Sequence, residues 1–152
     1  MPRVYIRDLK EIEAIIRKAQ ICHLAFSDGT TPYVIPMNFG YENQSLYFHS
    51  GQKGKKMEIL KKNPNVSFAL ETDVELVRVE TACEFTARFR SVAGFGRAVL
   101  INDQQEKKDA LSIIMRQYSD RSFSFPDDKI DKVAIIKVTI TEMTARVHGY
   151  EK

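Results

Sequence analysis

Apolar residues follow two different rhythms along this chain. Leu9, Ile12, Ile15, Ile16 and Ala19 recur at the spacing of one helix face, which predicts an amphipathic helix over 8–20. Asp8 opens it, with Glu11 three positions on, the form of a capping box. A second such stretch, 103–119, opens on Asp103 and Glu106 and carries Leu111, Ile114, Met115 and Tyr118 on one face. Between 21 and 50 the rhythm has period two. "ICHLAFS", "TPYVIPMNFGYE" and "SLYFHS" read as strands, joined by turns at Ser27–Thr30 and at "ENQS". A short helical pattern with Met57 and Leu60 follows and stops at Asn63-Pro64. "NVSFALET", "VELVRVE" and "EFTARFRSVAGFGRAVLI" read as three more strands, the last long enough for Gly94 and Gly96 to bend or bulge it. "SFSFPDDK" is a loop in which Phe123, Phe125 and Pro126 anchor the chain or cover a cleft, and "VAIIKVTITEMTARV" is a closing strand.

These elements predict a mainly β protein with peripheral helices (α+β), in one domain over 1–152. Six or seven strands, mostly joined by hairpins, make antiparallel pairing dominant and favour a small closed or partly closed barrel. A doubly wound parallel sheet would need helices between most strands, and they are missing. Pro36 cannot donate to a ladder, so it belongs at an edge, a bulge or a ligand-facing gap.

Composition adds limits. The 152 residues are 43% hydrophobic and 28% charged, ordinary for a soluble globular domain. The net charge of +3 is too small to argue for nucleic acid. The first twenty residues hold no apolar run of the length a signal peptide or membrane span needs, so a soluble, cytoplasmic protein with no membrane partner is expected. Cys22 and Cys83 form no C-x-x-C spacing and read as buried small apolar residues in a reducing compartment.

The chemistry-bearing stretch is "YFHSGQKGKKMEIL", 47–60. A strand gives way to Ser50, Gly51 and Gly54, then Lys53, Lys55 and Lys56 precede a helix. Unpaired N–H groups and the helix dipole favour an anion there, and the glycines allow close approach. A solvated lysine-rich helix start has the same composition. The stretch lacks Walker A spacing, and "GFGRAVLI" lacks the βαβ context and acidic partner of a dinucleotide fold.

"PYVIPMNFGY…SLYFHSGQKGKKMEILKKNPNVSF" resembles the core of the FMN-binding split-barrel families related to pyridoxamine 5′-phosphate oxidase. "ICHLAF", "CEFTARFRSVAGFGRA" and "EKKDALSIIMRQYS" extend the likeness toward the nitroimidazole-resistance branch. It runs from about residue 3 to the last strand. The resemblance implies FMN, its phosphate held by Lys55 and Lys56 with help from Lys53 and Ser50. It implies a flavin ring against Ile35, Pro36, Met37 and Asn38, with Phe48 and His49 opposite. It further implies a homodimer with flavins at the interface, the partner chain contributing from Arg90, Ser91 and Val92, and a role near the flavin for His23. The chain has no tryptophan and ends in "RVHGYEK", unlike the oxidase proper, so pyridoxamine-phosphate oxidation is not expected.

Read from its strand alone, His23 is a satisfied core histidine. With the resemblance, a flavin- or substrate-side role stands beside that reading. The three histidines show no metal-ligand spacing. Glu71, Asp73, Glu75, Glu80 and Glu84 read as solvated charges. The function expected is an FMN-dependent oxidoreductase passing electrons from a reduced nicotinamide or other donor to a small acceptor such as a nitroimidazole or nitroaromatic. The alternative is a non-catalytic flavin- or haem-binding protein on the same barrel.

Overall fold

The computed structural model describes residues 2–151. Eight strands and four helices follow one another among them. They are β1 (Arg3–Ile6), α1 (Leu9–Lys18), β2 (Cys22–Ser27), β3 (Pro32–Met37), β4 (Gly40–Glu42), β5 (Ser45–Gly51), α2 (Lys55–Lys62), β6 (Asn65–Val77), β7 (Thr86–Ile101), α3 (Gln104–Arg116), α4 (Asp127–Ile130) and β8 (Val133–His148). All pairings are antiparallel, in the order β3-β2-β6-β7-β8-β5-β4, with β1 also on β8. Inward side chains from β2, β5, β6, β7 and β8 join those of α1 and α2 in one core, with Leu24, Phe48, Phe68, Leu70, Val92 and Ile136 almost wholly buried. The sheet wraps that core as a split barrel, and β3 forms a free edge.

The expected mainly β, antiparallel class is observed, with eight strands instead of six or seven. The stretch 31–42 divides at Asn38–Phe39 into β3 and β4. The stretches 65–72 and 74–80 join in one strand, β6, which stops at Val77, short of the expected end at Glu80. Its interruption is a bulge between Thr72 and Glu75 at which Asp73 turns to φ 55°. β1 supplies the eighth strand by pairing with the end of β8. The long strand β7 does shift register, between Phe95 and Gly96.

Two helices begin as capping boxes predict. Asp8 accepts from the N–H of Glu11 at 3.1 Å, and Asp103 from that of Glu106 at 3.0 Å. The buried face of α3 is rotated from the expected one. Lys107, Ala110, Ile113 and Ile114 are buried, Leu111 and Met115 only half so, and Tyr118 is exposed. Gly40 explains the rotation, since β4 runs so close to the Ile113–Ile114 backbone that any Cβ there would collide with it. The end of α3 instead serves hydrogen bonds. The Gln117 amide donates to the carbonyls of Ile16 and Ala19, closing the end of α1, and the Tyr118 hydroxyl donates to that of Gln20. No helix among the described residues is long and apolar enough to cross a membrane.

Candidate functional site

The lysine stretch folds as a turn feeding a helix start. β5 ends at Gly51, which is extended, so of the two glycines only Gly54 has the left-handed backbone. Gly54 is the N-cap of α2 at φ 121° and ψ 178°, and no side chain caps that helix. The first bond within it joins the Glu58 N–H to the Gly54 carbonyl. The N–H groups ahead of Glu58 therefore lack intrahelical partners, and α2 differs in this from the Asp-capped α1 and α3. Among the described residues, Lys53, Lys55 and Lys56 have no ion-pair partner. Lys53 and Lys55 are exposed and Lys56 is half-buried. Lys55 lies with Nζ 5.2 Å from the centre of the Tyr33 ring, which ties the helix start to the free edge β3. Ser50 is buried, and its hydroxyl donates to the Gly51 carbonyl at 2.8 Å, so its proton is already engaged.

β3 alternates along that edge. Tyr33, Ile35 and Met37 are half-buried toward the core, while Pro36 and Asn38 are exposed. Pro36 occupies an edge strand, the position expected of it. Strand rise places Pro36 roughly 10 Å from Tyr33 along β3. Of the pair expected opposite, Phe48 lies wholly within the core and His49 is exposed on the other face of β5.

The outer face of the sheet carries the remaining groups. His23 pairs in register with Pro36 on one side and Ala69 on the other, and Ala69 continues through Ala93 to Thr144. A neighbouring row runs Glu71–Ser91–Arg146–Tyr5. Small residues thus floor a trough rimmed by larger ones. Part of it is a cleft of about 630 Å³ lined by Tyr5, Ala69, Glu71, Phe89, Ser91 and Arg146, and a second of about 620 Å³ lies beyond, past Ser67 and Phe95. Val34 and Phe95 stand more than half exposed beside it.

His23 belongs to this outer face and not to the core. Its Nε2 lies 2.9 Å from Oε1 of Glu71, and both side chains remain about two-fifths exposed. Glu71, expected as a solvated charge, is thus the histidine's partner. Finding it required the β2–β6 register, in which His23 faces Ala69 and meets Glu71 diagonally. Arg90, Ser91 and Val92 divide between faces. Arg90 points inward, hydrogen-bonded to Asp73 at 2.8 Å and stacked 4.3 Å from the Tyr150 ring centre, and Val92 is fully buried. Ser91 and the fully buried Val92 border the outer cleft, and Arg90 does not. Lys18 completes the inner cluster at 3.0 Å from Asp73. Hydrogen bonding from Lys18 and then Arg90 outweighs partial burial and holds the Asp73 carboxyl below its ordinary value.

The two cysteines also separate. Cys22 is buried, and burial first, with the nearby Glu71 charge second, pushes its thiol up to about 12. Cys83, expected buried, is exposed in the β6–β7 connection.

Comparisons with known proteins bear on this arrangement. The family model for pyridoxamine 5′-phosphate oxidase matches residues 8–147. A crystal structure from Bacteroides thetaiotaomicron, of a protein to which 5-nitroimidazole antibiotic resistance is ascribed, is 39% identical. It superposes with a TM-score of 0.85 over 96% of this chain and 87% of its own. A flavocytochrome from Azotobacter vinelandii is 23% identical, with a TM-score of 0.81 over 96% of this chain and 70% of its own. An FAD- and heme-binding protein from Mycobacterium smegmatis is 14% identical, with a TM-score of 0.83 over 96% and 74%. The last two share the fold. Among curated proteins none matches the sequence.

Proposed function

The chain belongs to the pyridoxamine 5′-phosphate oxidase family, and from that premise we propose that it is an FMN-dependent oxidoreductase acting on a small acceptor, with a nitroimidazole or nitroaromatic as the acceptor class. The observation that carries the proposal is the uncapped start of α2, set among three lysines that have no ion-pair partner among the described residues and tied through Lys55 to the free edge of the barrel. A phosphomonoester of about −1.5 to −2 charge fits that place. It would take N–H groups of the helix start, with Lys55, Lys56 and Lys53 as counter-charges and Ser50 beneath the turn.

Along the free edge of β3, Ile35 and Met37 on the core side and Pro36 and Asn38 on the outer side are the residues that would hold the flavin ring. Pro36 leaves no N–H stranded under such a ring, and the Asn38 amide is free to hydrogen-bond its polar edge. When bound, FMN supplies reversible redox chemistry between a reduced nicotinamide or similar donor and the acceptor. His23, paired with Pro36 in register, stands beside that position to polarise or protonate the acceptor. The nitro compound is the acceptor class favoured by the Bacteroides relative.

The lysine turn of a single chain is open to solvent, and the apolar trough lies uncovered. A second copy of the chain packed on the outer face would close both, with Ser91 near the flavin; the side chains of Arg90 and Val92 are held inward, away from that face.

Riboflavin, which lacks the phosphate, tests the assignment against FMN. A charge-assisted hydrogen bond contributes about 1.5–3 kcal/mol, so calorimetry is expected to show FMN binding at least roughly tenfold tighter. Equal affinities would remove the phosphate site and the proposal with it.

A further inference from the structure

We propose that Glu71 is a positioning residue. It fixes the His23 imidazole with its Nε2 proton turned to β6 and leaves Nδ1 as the atom that meets the acceptor. The proposal rests on the reading that His23 faces the acceptor, and goes beyond it by assigning the partner and the working nitrogen.

The geometry carries it. The Nε2–Oε1 distance of 2.9 Å is a full hydrogen bond. An ionised carboxylate only accepts, so the shared proton belongs to Nε2. Whichever nitrogen holds that bond decides the role of the other. Arg146, the nearest cation in the Glu71 row, lies over the Phe89 ring at 5.2 Å, and the sole ion pair of Glu71 among the described residues is with His23. Both partners come from central strands, β2 and β6, whose register is set by buried Cys22, Leu24, Phe68 and Leu70. The carboxylate is therefore held by the sheet and not by a loop. In the protonated imidazole both nitrogens carry a proton. The one on Nδ1 passes to the acceptor oxygen, and the ring returns to the neutral form with its Nε2–H still donated to Glu71. Solvent then restores the proton at Nδ1 and supplies the second proton of a two-electron reduction, the electrons coming from the donor-reduced flavin of the proposed function.

Nitrogen-15 shifts of the His23 ring in the flavin-loaded protein read the first half of the inference, with no acceptor present. The parent is expected to show one neutral form, protonated on Nε2. Glu71→Ala is expected to show both tautomers. Glu71→Gln, whose amide oxygen still accepts, is expected to keep the parental pattern. Reoxidation of the reduced, air-free protein by a 5-nitroimidazole reads the second half. It should slow about 10- to 100-fold in Glu71→Ala, by analogy with the loss of a carboxylate that orients a metal-bound histidine, and stay within about threefold in Glu71→Gln. A parental tautomer pattern in Glu71→Ala, or an unaltered reoxidation rate there, would overturn the assignment. Far-ultraviolet circular dichroism of both variants reports folding, and visible absorbance of the parent reports flavin binding separately.

Discussion

Replacing Gly54 by alanine isolates the backbone of the proposed phosphate turn. At φ 121° and ψ 178° the residue occupies a region that only glycine visits readily. An added Cβ would meet nothing within 4 Å, so the perturbation is conformational strain with no steric part. Strain of this kind costs about 1–3 kcal/mol. For a domain of this size that corresponds to a melting temperature lowered by roughly 3–9 °C. The mutant relieves strain by rotating the backbone ahead of α2, which turns one or two N–H groups away from the anion. Each is worth about 1.5–3 kcal/mol to a charged partner, so FMN affinity should fall by at least about tenfold. Gly29 is the control. It has φ 101° in the β2–β3 turn and also meets nothing within 4 Å. Gly29→Ala should lower the melting temperature comparably and leave FMN affinity within about twofold. Calorimetric titration and thermal unfolding of the pair separate strain from ligand contact. Equal FMN affinity in Gly54→Ala and Gly29→Ala would refute the argument that these N–H groups hold the phosphate.

Lys55→Ala removes one charge-assisted contact and should weaken FMN about 10- to 100-fold with the fold intact, read by flavin fluorescence and circular dichroism. Asp73→Asn tests the inner cluster, since asparagine tolerates the same positive φ. The folded-state pKa of Asp73 is depressed, so its stabilisation is complete above about pH 4, the unfolded value, and fades as pH falls through the lower folded value. The variant should therefore melt below the parent at pH 7, the gap narrowing in acid; a gap constant with pH would contradict the ion-pair cause. Thiol titration of the native protein near pH 8 should find Cys83 reactive and Cys22 silent until unfolding. Cys83→Ser should abolish the fast phase.

Local chemistry was legible in the sequence where it acts locally. Asp8 and Asp103 announced their helices, and the glycine-lysine turn announced a helix lacking such a cap. Pro36 pointed to an edge, a bulge or a ligand-facing gap because a missing N–H cannot join a central ladder, and the structure has the edge. What escaped depends on pairing across distance. β1 is too short to read alone and exists by leaning on β8. Asp73 looked like a break between strands, yet Lys18 and Arg90 hold it as a bulge within one. The Glu71–His23 pair follows from register, which is not written in either strand. The parity of β7 was legible, however. Alternation from Val92 through Gly94 and Ala98 puts even positions inside, and that rule sends Arg90 inward and Ser91 outward. Cys83 lies in the connection beyond the core, so its apolar character did not imply burial.

The most direct measurement is the visible spectrum of the native protein, with mass identification of the chromophore released on unfolding. Flavin bands together with the mass of FMN are predicted. A protein that stays colourless after incubation with excess FMN, or that shows the Soret band of haem in place of flavin bands, would contradict the assignment.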